Sequence, residues 1–172
     1  MGADKALLPV AGVPMAARVA RALAAGGCDR VVLVGGDRGR LAGLGWPWVA
    51  DRWPGEGPLG GVLTALTECG TDVVVAACDL PDLDADTVMR VLGAAVEPPA
   101  VEVVVAVTDQ MEPMLAWWSV AARPGLEASW AGGTRAVHEA IAERPNRRVA
   151  VGPAALRNVN RPVDLDAGKH AG

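Results

Sequence analysis

The chain has 172 residues, enough for one domain with a substantial core, and carries a formal charge of −4 from 16 basic and 20 acidic side chains. Acids and bases are interspersed, which excludes a nucleic-acid-binding stripe or a polybasic membrane patch but leaves room for a small anionic ligand held by local lysines and backbone N–H groups. Phe and Tyr are absent and six Trp are the only aromatics, so the core must be built from small and branched aliphatics.

The chain opens on Met1-Gly2-Ala3-Asp4-Lys5-Ala6-Leu7-Leu8-Pro9, an acid and a lysine with no strand before them. Residues 14–25 read as a short amphipathic helix with Pro14 near its first turn and Gly26-Gly27 at its end. Residues 30–34 are a buried strand closed by Gly35-Gly36-Asp37, and helix, strand and glycine turn in this order favour a parallel α/β sheet. A short extended piece at 46–50 leads into 51–61, a turn-rich loop packed against the body. Residues 60–68 form a helix, and 72–78 the clearest central strand, which stops at Asp79-Leu80-Pro81. Residues 84–95 continue as a helix capped by Asp84. Beyond Pro98-Pro99, residues 101–108 are a strand, and 112–120 start in a turn and read as a strand or strand–helix junction. Helices at 126–131 and 135–143 flank Gly132-Gly133, residues 148–151 are a short strand, and the tail from Asn158 ends in small polar residues expected to fray. Residues 1–172 thus read as one domain, without repeats or a linker.

Cys28, Cys69 and Cys78 are widely spaced, which argues against a disulfide framework or zinc knuckle and reads as buried free thiols. No apolar run approaches ~20 residues, and Asp4, Lys5, Pro9 and Pro14 break up the start, so a cytoplasmic protein is expected.

Asp79 is the most informative residue. Ligands of parallel sheets lie beyond the C-terminal strand ends, where a carboxylate can hold Mg²⁺ bridging nucleotide phosphates; the alternative is a carboxylate that stiffens its own turn. Lys5 can neutralise a triphosphate and the departing pyrophosphate, or be a solvated terminal lysine. Gly2 allows close backbone approach to an anion. Asp51 with Gly57 and Pro58 can recognise a base or ribose, or build a structural loop. Glu112, followed by Pro113, can bind a polar substrate, or serve as a cap or ion-pair partner. Asn158 and Asn160 lie two apart, so an extended backbone points both amides to one face, near a metal–phosphate site or into Asx turns. His138 and His170 are too far apart to suggest a metal motif, and Trp117-Trp118 reads as packing or a groove wall rather than a stacking platform.

The segments MGADKALLPVAG, DRWPGEGPLGG, AACDLP, MEPM and NVNRPVDL, in this order, resemble the molybdenum cofactor guanylyltransferases over nearly the whole chain. The resemblance implies a three-layer α/β/α Rossmann-like nucleotidyltransferase fold with a mostly parallel sheet. It implies transfer of GMP from GTP to the terminal phosphate of molybdopterin cofactor, with Mg²⁺ as cofactor. Family roles map Gly2 to the end of the phosphate loop, Lys5 to its lysine, Asp51 to the nucleotide-side acid and Asp79 to the magnesium-binding acid. Asn158 and Asn160 map near the metal and the pterin phosphate, and Glu112-Pro113 to the pterin side. Cofactor-synthesis proteins or molybdoenzyme chaperones are the implied transient partners. Around Gly35-Gly36-Asp37 the family's guanine-binding asparagine is lacking. The hydrophobic first strand and most of the glycine loop are also missing, which should leave one side of a central strand unpaired. An internal Met assigned as the start, with a longer natural protein, is the favoured reading; a short form with impaired catalysis is its rival. Cytidylyl transfer, guanylyl transfer to another phosphorylated molecule, and non-catalytic nucleotide binding are the functional alternatives.

Overall fold

Pro9–Val10 (β1) and Val13–Pro14 (β2) form a small antiparallel ribbon whose turn holds Ala11 and Gly12 at positive φ. Pro14 then leads directly into helix α1, Met15–Ala25, which buries Met15, Ala16, Val19, Ala20 and Leu23 on one side while Arg21 stays in solvent. This computed structural model describes residues 5–159. It continues through β3 (Leu33–Val34), the single turn α2 (Arg38–Leu41), β4 (Trp48–Val49), α3 (Pro58–Cys69), β5 (Val73–Ala76) and α4 (Ala85–Ala95). There follow β6 (Val103–Val107), β7 (Met111–Trp118), α5 (Arg123–Ala131), α6 (Val137–Ala142) and β8 (Asn146–Ala150).

The helix boundaries follow local chemistry. Pro58 sits in the first turn of α3, and Gly70, at φ +65°, ends it by donating its N–H to Leu66 O. Asp84 caps α4, its carboxylate accepting from Thr87 N at 2.7 Å.

The fold is α/β with three layers. Along β6, Val104 and Ala106 enter one apolar cluster and Val103 and Val105 the other; along β7, Leu115 and Trp117 divide from Ala116 and Trp118 in the same way. This period-two alternation buries both sheet faces. Helices α1 and α4 cover the first face, and α3, α5 and α6 the second. Trp117 and Trp118 are therefore packing residues on opposite faces.

The sheet is less parallel than expected. The order is β5-β7-β6-β8, with β7 antiparallel to both neighbours and only β6–β8 parallel; β3 and β4 form a separate parallel pair. The reason is the tight turn at residues 108–110, which returns the chain as a hairpin rather than through a crossover helix. The β6–β7 register jumps from Val105↔Ala116 to Ala106↔Glu112, so Pro113, Met114 and Leu115 face no residue of β6. Proline, lacking an N–H, is accommodated at such a bulge.

The run at 30–34 narrows to two strand residues, and those of β5 are only half-buried. Among the described residues each of β3 and β5 pairs on one side only. Leu33 and Gly35 donate to Pro47 and Val49 on the β4 side, so the alternate amides of Val32 and Val34 point the other way. Cavities of about 330 and 420 Å³ lie along this seam. The first joins 28–31 to 71–74 and the second joins 34–36 to 76–78, so β3 and β5 run in the same direction.

Candidate functional site

The C-terminal end of β5 carries the centre of the site. Asp79 follows that strand by three residues, and its Oδ2 lies 2.5 Å from Lys5 Nζ. Lys5 reaches it from the single 3-10 turn Lys5–Leu7, whose exit is pinned by Leu8 N donating to Lys5 O. Neither side chain is sealed off, at 32% exposure for Lys5 and 18% for Asp79, so phosphate oxygens can approach the pair.

The last described residues return to the same place. Val159 is fully buried and donates its N–H to Asp79 O at 3.0 Å. Asn158, one residue earlier, is exposed beside the Asp79 turn. Gly2 and Asn160 lie outside the described residues.

Asp51 stands just beyond β4. Its Oδ1 accepts from Trp53 N at 3.0 Å and from Thr64 Oγ1 at 3.2 Å, and Arg52 N donates to the same hydroxyl at 3.1 Å. The carboxylate thus ties its loop to α3. Gly57 has φ +111°, and a Cβ there would meet Arg135 O at 3.3 Å. Leu59 N donates to that same carbonyl, so the loop carrying Gly57 and Pro58 rests against residues 134–136. Asp51, Gly57 and Pro58 nevertheless line one cleft with Gly35 and Gly36, the 420 Å³ cavity that extends to Ala6 and Cys78, the neighbours of Lys5 and Asp79. That volume falls in the range of small-molecule sites, roughly 300–1,000 Å³.

Glu112 lies within β7, and its Oε1 accepts from Thr108 Oγ1 at 2.7 Å. Pro113 sits in the bulge beside it, next to Met114, which lines the cleft. The structure therefore gathers Lys5, Asp79 and the Asn158 segment at one point and places Asp51, Gly57 and Pro58 along the adjoining cleft. Glu112 and Pro113 do not line the cleft, and only Met114 of the bulged strand does.

The expectation of three buried thiols fails at Cys78, which is exposed because it lies past the end of β5; Cys28 and Cys69 are half-buried. Burial, with a smaller contribution from Asp29, raises the Cys28 thiol above its ordinary value.

Sequence reasoning missed Thr64, Arg18, Asp82 and Arg157. Thr64 had a faint signal, a lone hydroxyl inside Val62-Leu63-Thr64-Ala65-Leu66. Arg18 Nε donates to Pro81 O at 2.7 Å, and Arg157 Nε donates to Asp82 Oδ2 at 2.7 Å. These contacts join distant segments and leave no local pattern.

Solved structures share this fold. A crystal structure of molybdopterin-guanine dinucleotide biosynthesis protein A from Archaeoglobus fulgidus matches with a TM-score of 0.77 over 98% of this chain and 90% of that one, at 20% identity. A 2-C-methyl-D-erythritol 4-phosphate cytidylyltransferase from Thermus thermophilus matches with a TM-score of 0.73 over 95% and 91%, at 19% identity. At these identities they establish the shared fold.

The sequence goes further. Residues 1–148 match the model of the MobA-like NTP transferase domain, and the chain belongs to that family. A probable molybdenum cofactor guanylyltransferase of Deinococcus radiodurans is 34% identical over 95% of this chain and 84% of its own length. The molybdenum cofactor guanylyltransferase of Rhodobacter capsulatus is 36% identical over 96% and 86%. No helix among the described residues is long and apolar enough to cross a membrane.

Proposed function

We propose that this nucleotidyltransferase moves GMP from GTP to the terminal phosphate of molybdopterin cofactor. The observation that carries the reading is the Lys5–Asp79 pair at the mouth of a cleft lined by Asp51, Gly57 and Pro58. A phosphate oxygen of the pterin attacks the α-phosphorus of GTP. One P–O bond forms, the bond from the α-phosphorus to the bridging oxygen breaks, and pyrophosphate leaves with that electron pair. The attacking phosphate is already anionic, so no side chain has to remove a proton from it.

Asp79 suits Mg²⁺, which keeps several waters and takes one or two carboxylates together with substrate phosphates. Asn158, and Asn160 beyond the described residues, would add neutral oxygens without further charge. Bound there, Mg²⁺ supplies charge neutralisation on the phosphates. Lys5 steadies Asp79 and offsets negative charge that grows on the phosphates in the transition state. The Asp51 loop and Gly57-Pro58 orient the nucleotide, and Glu112-Pro113 border the pterin. The expected setting is the cytoplasm, with transient contact to cofactor-synthesis proteins or molybdoenzyme chaperones.

The test is turnover of the purified chain with molybdopterin and each of GTP, CTP and ATP, following pyrophosphate release and the dinucleotide product. GTP alone should support both. Preference for CTP would move the protein to cytidylyl transfer, and binding without pyrophosphate release from any nucleotide would make it a non-catalytic nucleotide binder.

A further inference from the structure

The turn that carries Asp79 and the segment that carries Asn158 come from distant parts of the chain, and a charge cluster joins them. Arg157 Nε and Nη2 both lie 2.7 Å from Asp82 Oδ2. Arg18, from α1, places Nη2 3.8 Å from Asp82 Oδ1 and donates from Nε to Pro81 O at 2.7 Å. Asp82 therefore has an arginine at each carboxylate oxygen, and three segments separated in sequence meet at one side chain.

The cluster lies next to the site. Asp82 is three residues past Asp79. Arg157 directly precedes Asn158, and two residues on, Val159 N donates to Asp79 O at 3.0 Å. Apolar contacts also hold this corner, since Leu80, Leu83 and Leu156 are buried in one cluster. Such contacts are non-directional and permit sliding. A guanidinium has a rigid planar fork and fixes direction. At about a third exposed, the three charged side chains are worth little as stability, which leaves their geometry as their main contribution.

We propose that Arg157 and Asp82, braced by Arg18, are positioning residues that set how closely the Asn158 segment approaches Asp79, and so where the acceptor phosphate sits. The assignment of the acceptor rests on the guanylyl-transfer reading above; the clasp itself does not.

The experiment uses the full chain with Arg157→Gln, Asp82→Asn and the conservative Arg157→Lys. Amide exchange at Val159 should quicken about tenfold or more in the first two variants, as the local closure weakens. With GTP and molybdopterin, the KM for the pterin should rise about fivefold to tenfold in those variants, while the KM for GTP and kcat at saturating pterin stay within about twofold. Arg157→Lys should recover part of both effects, since it keeps the charge and loses the fork. Unchanged Val159 exchange in Arg157→Gln and Asp82→Asn would overturn the clasp. Quickened exchange with equal changes in both KM values would overturn its role toward the acceptor. If the unaltered protein fails to turn over molybdopterin, guanylyl transfer falls, and Val159 exchange still decides the clasp.

Discussion

Lys5 Nζ and Asp79 Oδ2 stand 2.5 Å apart across 74 positions of sequence, so the start of the described chain is fastened to the end of its β5 strand. The contact places a cation and a carboxylate together where phosphates would arrive. In the Asp79→Asn variant kcat should fall about 10²–10³-fold, the scale seen when a group stabilising transition-state charge is removed. Because the pair is partly exposed, the loss of stability should stay under about 1 kcal/mol. Pyrophosphate release and a thermal melt check both halves, and full turnover by the variant would exclude Asp79 from the chemistry.

Asp51→Ala removes one acceptor from two donors, Trp53 N and Thr64 Oγ1. Leaving these groups without their partner should cost about 1–3 kcal/mol. The nucleotide KM should rise as the loop loses its tie to α3. Urea denaturation together with a GTP titration would show whether stability and nucleotide affinity fall together, as this geometry requires.

Gly57→Ala tests the loop from its backbone. At φ +111° an L residue is strained, and its Cβ would press on the Arg135 carbonyl at 3.3 Å. The expected cost is about 1–3 kcal/mol, with α3 displaced from residues 134–136. A crystal structure of the variant with Gly57 replaced and the loop unmoved would show that glycine is not needed there.

The Cys28 thiol gives a pH signature. Burial, with the Asp29 carboxylate, raises it above its ordinary value in the folded chain. Its contribution to stability is therefore complete below the unfolded thiol pKa, about 8.5, and is lost as pH rises through the folded value. Iodoacetamide should label Cys28 more slowly in the folded protein than in urea near pH 9, and Cys28→Ala should soften the loss of stability at alkaline pH. Equal labelling rates in the two states would remove the effect.

The sequence was most readable where a residue's consequence is local. Pro14, Gly26 and Asp84 marked the helix ends because capping and breaking act within a turn. Asp79 stood out because a carboxylate directly after an apolar strand is a one-dimensional pattern. Strand lengths were over-read at 30–34 and 72–78: hydrophobicity reports the tendency to pair, whereas the ladder depends on a neighbour being there. The reversed direction of β7 followed from a turn that the pattern revealed only as a turn. The Arg157–Asp82 contact was invisible because two surface charges 75 positions apart carry no mutual signal.

The candidate cleft lies across the seam between β3 and β5. Asp51, Gly57 and Pro58 belong to the β4–α3 side, and Asp79 with the Asn158 segment to the β5 side. Among the described residues no backbone ladder crosses from one sheet to the other. Helix α3 packs against both β3 and β5, so side-chain packing joins the two banks of the cleft.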